Sequence, residues 1–222
     1  MKALRLMAVA VLCATWPVAA ASAGQRGDHA KQAVTNAAHS PAAELRTAMR
    51  KLWTDHVVWT RDYIVAAVDD KPDAMAAASR LMRNQEDIGK AVAQYYGAAA
   101  GQQLTSLLKD HISIAVDLIK AAKAGDKTAQ QQADIRWQQN AMDIATFLSK
   151  ANPNWPKNTL VDMMKTHLST TTNEVVARLK HDWEGDVRAF DAVYDHILMM
   201  SDALSAGIVK QFPDRFGAAP AK

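Results

Sequence analysis

Cysteine is nearly absent from this chain, which has one, Cys13, among 222 residues. Disulfide bonds therefore cannot hold the fold together, and a hydrophobic core has to do so. Phosphate-binding glycine loops, G-x-S-x-G turns, H-E-x-x-H pairs and glycosidase-like pairs of glutamates are also missing. These absences argue against P-loop nucleotide binding, α/β-hydrolase chemistry, zincin proteases and glycosidases.

After the first 23 residues the chain has almost no excess of charge of either sign and few long apolar runs. The amino terminus carries Lys2 and Arg5, then a largely apolar run over 6–18 and the small residues Ala21-Ser22-Ala23. This pattern predicts a cleaved signal peptide, residues 1–23, and a periplasmic or secreted protein. The remainder has 24 basic and 23 acidic side chains and no further run long enough for a membrane span. Neither nucleic acid nor an anionic membrane is therefore an expected partner.

Strand-forming patterns are missing too, and apolar residues recur instead at the spacing of helices. Residues 24–40 are predicted to be a flexible leader, 41–213 a helical domain and 214–222 a disordered tail. Gly97 and Gly101 are expected to bracket the turn between the second and third helices. The six predicted helices cover about 41–68, 73–96, 102–124, 127–150, 158–180 and 182–211. The fold class is all-α, a six-helix bundle of three antiparallel hairpins.

Three histidines indicate an internal repeat of about 55 residues. His56, His111 and His167 are separated by 55 and 56 residues, and each lies in the apolar stripe of a predicted helix. The partner helices of the first two hairpins carry Asn84 and Asn140 at matching positions. In the third hairpin the match is weaker: Arg188 and Asp195 keep the Arg-to-Asp spacing, but Ala192 replaces the asparagine.

These positions form the candidate site. Both asparagines belong to inward-facing stripes, and an aspartate follows each by three residues, at the edge of the same face. The residues expected to converge in a polar layer are His56, His111, His167, Asn84, Asn140, Asp87, Asp143 and Asp195, and His196 is placed to join them.

Two functions for this layer remain open, with catalysis as a third. In one, a metal ion or small ligand binds in the layer, since helical bundles place such sites in their cores and His and carboxylate bind zinc, copper, nickel or iron. In the other, the layer only fixes helix packing in a structural or interaction module. An enzyme acting on cell-envelope material would need an open pocket beside His111 and Asp143. No catalytic residue is assigned, and the leading hypothesis is a non-enzymatic binding protein.

Several motifs resemble an uncharacterised family of small bacterial all-helical proteins. The similarity covers about residues 45–216. The motifs are Leu52-Trp53-x-x-His56-Val57-x-Trp59-Thr60-Arg61, Arg83-Asn84-Gln85-x-Asp87-Ile88-Gly89, Tyr95-Tyr96-Gly97, Leu107-Leu108-Lys109-x-His111-Ile112, Ala151-Asn152-Pro153-x-Trp155-Pro156 and Lys210-Gln211-Phe212-Pro213. Members are sometimes labelled glycosyltransferase or acetylglutamate kinase. Both labels imply nucleotide-binding α/β folds, for which this chain has neither strands nor phosphate loops.

Overall fold

The computed structural model describes residues 40–217. The predicted signal peptide, residues 24–39 of the predicted leader and residues 218–222 of the predicted tail lie outside this range. The described residues form six long helices and no strand. They are α1 (Pro41–Val68), α2 (Ala74–Tyr96), α3 (Ala98–Ala124), α4 (Lys127–Ala151), α5 (Lys157–Leu179) and α6 (Trp183–Gln211).

Local chemistry accounts for where these helices begin and end. The Ser40 side chain accepts a hydrogen bond from the Ala43 amide at 3.2 Å and Pro41 opens α1. At the end of α3, Gly125 adopts a left-handed conformation with φ of 70°, which a side chain would disfavour. Asp126 and Asp182 cap α4 and α6 through their side chains. These signals are all visible in the sequence.

The third helix begins four residues earlier than predicted. Gly101 lies inside α3 and is buried against Gly89 of α2. A Cβ on Gly101 would come within 2.6 Å of the Gly89 carbonyl oxygen, and a Cβ on Gly89 within 2.7 Å of the Gly101 carbonyl oxygen. Gly101 is therefore needed for the close approach of two helices, and Gly97, with φ of 84°, makes the turn alone.

The packed domain also continues beyond its predicted end at residue 213. Residues Pro213–Phe216 form a 3₁₀ turn. The ring of Phe216 stacks on Tyr95 at a centroid distance of 5.9 Å, and Arg215 donates to the Gln94 carbonyl. Residues 214–216 therefore belong to the folded domain.

The helices form a closed ring. Each packs against the next along the chain, and α6 packs back against α1. Across the centre, α1 also contacts α3 and α5, so the three histidine-bearing helices meet along the inside of the bundle. None of the helices in residues 40–217 combines the length and apolar character that a membrane span requires.

The core is divided along the bundle. A large apolar cluster drawn from all six helices fills one end, from Met49 on α1 to Ile208 on α6. A smaller cluster lies toward the other end: Tyr63, Ile64, Val68, Ala77, Ile119 and Val175. Helix α4 contributes no residue to this second cluster. The bundle is therefore densely packed at one end and less completely filled on the α4 side at the other.

Candidate functional site

The predicted histidines converge. The ring of His167 lies 5.8 Å from that of His56 and 6.0 Å from that of His111, measured between centroids. His196 joins them, with its ring 6.3 Å from that of His167. All four side chains are buried. One residue from each of α1, α3, α5 and α6 thus forms a contiguous cluster, which we call the histidine layer.

Polar side chains from the outer helices attach to the backbone of the inner ones beside this layer. Asn84 donates to the Leu52 carbonyl at 2.9 Å, and Asn140 donates to the Leu107 carbonyl at 3.0 Å. Each of these carbonyls lies four residues before a histidine of the layer. The two asparagines therefore join the site as predicted, and each ties two helices of one hairpin together.

In the third hairpin His196 makes the equivalent bond. Its Nε2 lies 2.9 Å from the carbonyl of Met163, which is four residues before His167. Ala192, which the repeat aligns with Asn84 and Asn140, is exposed to solvent. The histidine at position 196 thus combines two roles, because it bonds the neighbouring helix and adds a ring to the layer.

Two amides fix the tautomers of two histidines. The side-chain nitrogen of Asn140 donates to the Leu107 carbonyl. The side-chain oxygen of Asn140 therefore lies 2.7 Å from His111 Nδ1 and accepts a hydrogen bond from it. The Gln85 nitrogen donates to the Leu81 carbonyl at 2.8 Å and lies 3.3 Å from His56 Nδ1. A neutral His111 thus carries its proton on Nδ1, whereas a neutral His56 carries it on Nε2.

Burial keeps three rings of the layer uncharged. Loss of hydration, with repulsion from His111, lowers the pKa of His56 to about 3. Loss of hydration also lowers the pKa of His111 to about 4, and the bond to Asn140 only partly opposes this. Burial, and then repulsion from neighbouring rings, holds the pKa of His167 well below its ordinary value. At neutral pH these rings are polar but neutral groups, able to donate or accept hydrogen bonds.

The three aspartates lie elsewhere, which corrects the expected convergence. Asp87 is 3.5 Å from Lys90 on the surface, Asp143 accepts from Gln139 at 3.0 Å, and Asp195 is exposed. Three residues along a helix correspond to about 60° around it, enough to carry a carboxylate from the buried face to solvent. Among residues 40–217, no three His, Asp or Glu side chains are placed to hold one metal ion.

A pocket of about 640 Å³ extends from the histidine layer toward the α3–α4 turn. His56, His111, His167 and Trp137 line its inner end. Its walls are mostly apolar and come from α3 and α5, with Ile112, Ala115, Leu118, Ile119, Val175 and Leu179. Its volume is within the range of small-molecule sites in proteins.

The start of α4 explains why this space stays open. On this side α4 presents Lys127, Gln130, Gln131 and Asp134 to the pocket, and Ala133 is its one buried residue before Trp137. Polar side chains cannot close tightly on the apolar walls of α3 and α5 without losing hydration. The pocket is therefore bordered by a polar rim and ends on buried rings.

Three polar atoms near the inner end have no hydrogen-bond partner among the described residues. They are Nδ1 of His167, the hydroxyl oxygen of Thr171, one turn further along α5, and Nε1 of Trp137. All three residues are buried and line the pocket. Buried polar groups are nearly always hydrogen-bonded in native proteins, so orphaned ones beside a pocket are typical of binding sites.

A buried ion cluster lies next to the layer, and its acidic members were missed from the sequence. Arg61 binds Glu174 at 2.8 Å and Asp186 through both terminal nitrogens at 3.0 and 2.9 Å. Arg178 joins Asp186 to Asp69. Burial raises the pKa of Glu174 to about 7, although Arg61 opposes this. Because these residues come from distant parts of the chain, their pairing could not be predicted from spacing along one helix.

The fold and site define the class of the protein, an all-α six-helix bundle with a pocket over a layer of buried histidines. Comparison with protein-family models, curated proteins and solved structures finds no match for this chain. The family resemblance of its sequence motifs therefore stays a prediction, and the function has to be argued from the site.

Proposed function

We propose that this protein binds a small, largely apolar molecule in the pocket above the histidine layer. The observation that carries the proposal is the pocket itself, about 640 Å³ of space with apolar walls that ends on buried neutral histidines. A site of this kind holds a ligand by burial of apolar surface and orients it through a few polar groups. This is the small-ligand form of the binding hypothesis, and no catalytic step is included.

The metal form has less support from the geometry. The aspartates that would have supplied oxygen ligands face solvent, and the ring of His56 presents an N–H rather than a bare nitrogen away from Gln85. A metal ion needs deprotonated ring nitrogens that point at one centre. Metal binding is therefore one arm of the experiment below and not the proposal.

Export is part of the same proposal. The basic, apolar and small-residue segments of residues 1–23 have the order of a signal peptide, and residues 24–222 contain no cysteine. A binding protein in the periplasm or outside the cell would meet apolar molecules from the envelope or the medium. Fusion of residues 1–23 to a reporter enzyme, with export measured by fractionation, tests this part independently.

Binding can be tested with an uncharged fluorescent probe, phenylnaphthylamine, whose emission rises in apolar surroundings. We expect saturable binding to the protein comprising residues 24–222. Ala115→Phe places a phenyl ring in the pocket. We expect it to weaken binding by about tenfold or more, because the ligand then buries less of its apolar surface against the walls. Ala192→Phe is the matched control, because Ala192 is exposed on α6 and lies outside the pocket.

Each outcome of this titration separates the alternatives. Equal binding by both variants, or no binding by the unmodified protein, would contradict the proposal and favour a packing role for the layer. Titration with Zn²⁺, Cu²⁺ and Ni²⁺, followed by thermal unfolding, forms the metal arm. A metal-dependent rise in melting temperature that His111→Ala abolishes would favour the metal form instead.

A further inference from the structure

The inner end of the pocket has a defined hydrogen-bonding polarity. On His56, the proton lies on Nε2 because Nδ1 faces the Gln85 amide nitrogen, which cannot accept a hydrogen bond and donates to the Leu81 carbonyl and toward Asn84. The alternative orientation of Gln85 would bring its oxygen within 2.8 Å of the Leu81 carbonyl oxygen, two acceptors facing each other. The carbonyl of Leu81 thus determines which nitrogen of His56 is free to donate.

On His111 the assignment is reversed. Asn140 is anchored through its nitrogen to the Leu107 carbonyl, and its oxygen accepts from His111 Nδ1 at 2.7 Å. The proton of a neutral His111 is therefore on Nδ1, and Nε2 is a bare acceptor. Two histidines at equivalent places on α1 and α3 thus differ in tautomer, because one faces a glutamine and the other an asparagine.

Both Nε2 atoms are without a hydrogen-bond partner among the described residues. Because Nδ1 of each ring already faces an amide, Nε2 is the nitrogen left to meet a ligand. Both rings line the pocket, and no hydrogen bond joins them to each other among the described residues. These two rings therefore offer one donor, from His56, and one acceptor, from His111, beside the unpartnered polar atoms of His167, Thr171 and Trp137.

We propose that the ligand has an uncharged inner group that both accepts and donates hydrogen bonds, as a primary alcohol does, on an elongated apolar body. This inference rests on the proposed function and specifies its ligand class. An anionic or cationic inner group would be buried beside neutral rings without a counter-charge, which is costly. The alcohol oxygen accepts from His56 Nε2–H and its proton is donated to His111 Nε2.

The elongated body follows from the shape of the walls. The pocket follows α3 from His111 to Ala122, a distance of about 17 Å at the helical rise. Lys127, Lys180 and Asp134 border its outer end and are exposed, so the rim carries charges of both signs. An acidic group is therefore disfavoured at the inner end and not selected at the rim.

The test is a displacement series at neutral pH with bound phenylnaphthylamine. The competitors share one chain and differ in the end group: dodecanol, dodecyl methyl ether, dodecanoate and dodecylammonium. We expect dodecanol to displace the probe at about one-tenth of the concentration that the ether requires, since the ether accepts but cannot donate. His111→Leu is expected to abolish this difference, and His181→Asn, in the exposed α5–α6 turn, to preserve it.

Two results would overturn the inference. One is equal displacement by alcohol and ether, or displacement by dodecanoate at the lowest concentration. The other comes from ¹⁵N correlation spectra of the unmodified protein, which read the tautomers directly even where His111→Leu does not fold. A proton on Nε2 of His111, or on Nδ1 of His56, is incompatible with the assignment. If the probe binds, Ala115→Phe blocks it and all four competitors displace it equally well, only the ligand class is wrong. If the probe does not bind at all, the proposed function itself is refuted.

Discussion

Replacement of His111 by asparagine changes the pH dependence of stability in a direction that the structure determines. His111 is fully buried and its pKa is lowered to about 4, whereas the unfolded chain has an ordinary histidine pKa of about 6.5. Between about pH 4 and pH 6.5, therefore, His111 is protonated in the unfolded state and neutral in the folded state. The free energy of unfolding is therefore undiminished above about pH 6.5 and decreases as the pH falls toward 4.

The magnitude follows from the two pKa values. Acidification from about pH 7.5 to about pH 5.5 removes roughly 1.3 kcal/mol of stability through His111 alone. His56, whose pKa is lowered to about 3, contributes a similar loss, roughly 2.7 kcal/mol for the two histidines. His167 acts in the same direction, because its pKa also lies well below its ordinary value. Glu174 acts in the opposite sense, because its raised pKa of about 7 makes the folded state take up the proton first, and it restores roughly 1.8 kcal/mol.

The assay is urea unfolding followed by far-ultraviolet circular dichroism at both pH values. The His111→Asn variant is expected to lose roughly 1.3 kcal/mol less on acidification than the unmodified protein. Any packing defect lowers its stability at both pH values and cancels in the difference. Asparagine at 111 can still donate to Asn140, and His181→Asn is the control, since His181 is exposed. An unchanged pH slope in His111→Asn would show that this histidine is not held neutral by burial.

Three further changes test the packing around the site. Gly89→Ala forces a methyl group toward the Gly101 carbonyl, so urea unfolding should show a free energy of unfolding lower by about 1–3 kcal/mol. Ala91→Ser on the same helix is the control and should cost less. Equal losses would contradict the close approach of α2 and α3. Asn140→Ala removes the bonds to His111 and the Leu107 carbonyl, with an expected loss of about 1–3 kcal/mol in the same assay, and a neutral effect would refute their role in anchoring α4. Arg61→Met leaves Glu174 buried without a cation and Asp186 with Arg178 alone, so we expect a loss of about 3–5 kcal/mol at neutral pH. Addition of Glu174→Gln to Arg61→Met should recover part of that loss, and a double variant no more stable than the single one would count against a buried ion cluster.

Much of the site was predictable because its residues mark helix faces. His56, His111 and His167 occupy the middle of apolar stripes, and Asn84 and Asn140 occupy matching stripes on the partner helices. A stripe position depends only on residue spacing along one helix, which the sequence states directly. The aspartates were predicted wrongly because a residue at the edge of a stripe turns inward or outward according to its neighbours.

The pocket had a sequence signal that was overlooked. Residues 127–136 at the start of α4 read Lys-Thr-Ala-Gln-Gln-Gln-Ala-Asp-Ile-Arg, and Ile135, the single large apolar residue among them, is exposed. A ten-residue stretch without an inward apolar stripe, in a helix that is otherwise buried on one face, indicates that this half does not close on the core. The size and chemistry of the resulting space depend on α3 and α5, which the stretch itself does not reveal.

The sequence by itself determined the six helices and most of their ends, because caps, glycines with positive φ and the residue before proline act within a few positions of one another. The start of α3 was the exception, since Gly101 is held inside the helix by its packing against Gly89. It also determined which histidines face inward. Only the tertiary structure decided that four histidines form one layer, that His196 takes the place of an asparagine, and that Arg61 meets acids from α5 and α6. These contacts depend on closure of the ring of six helices, and closure brings together faces whose mutual fit no single segment encodes.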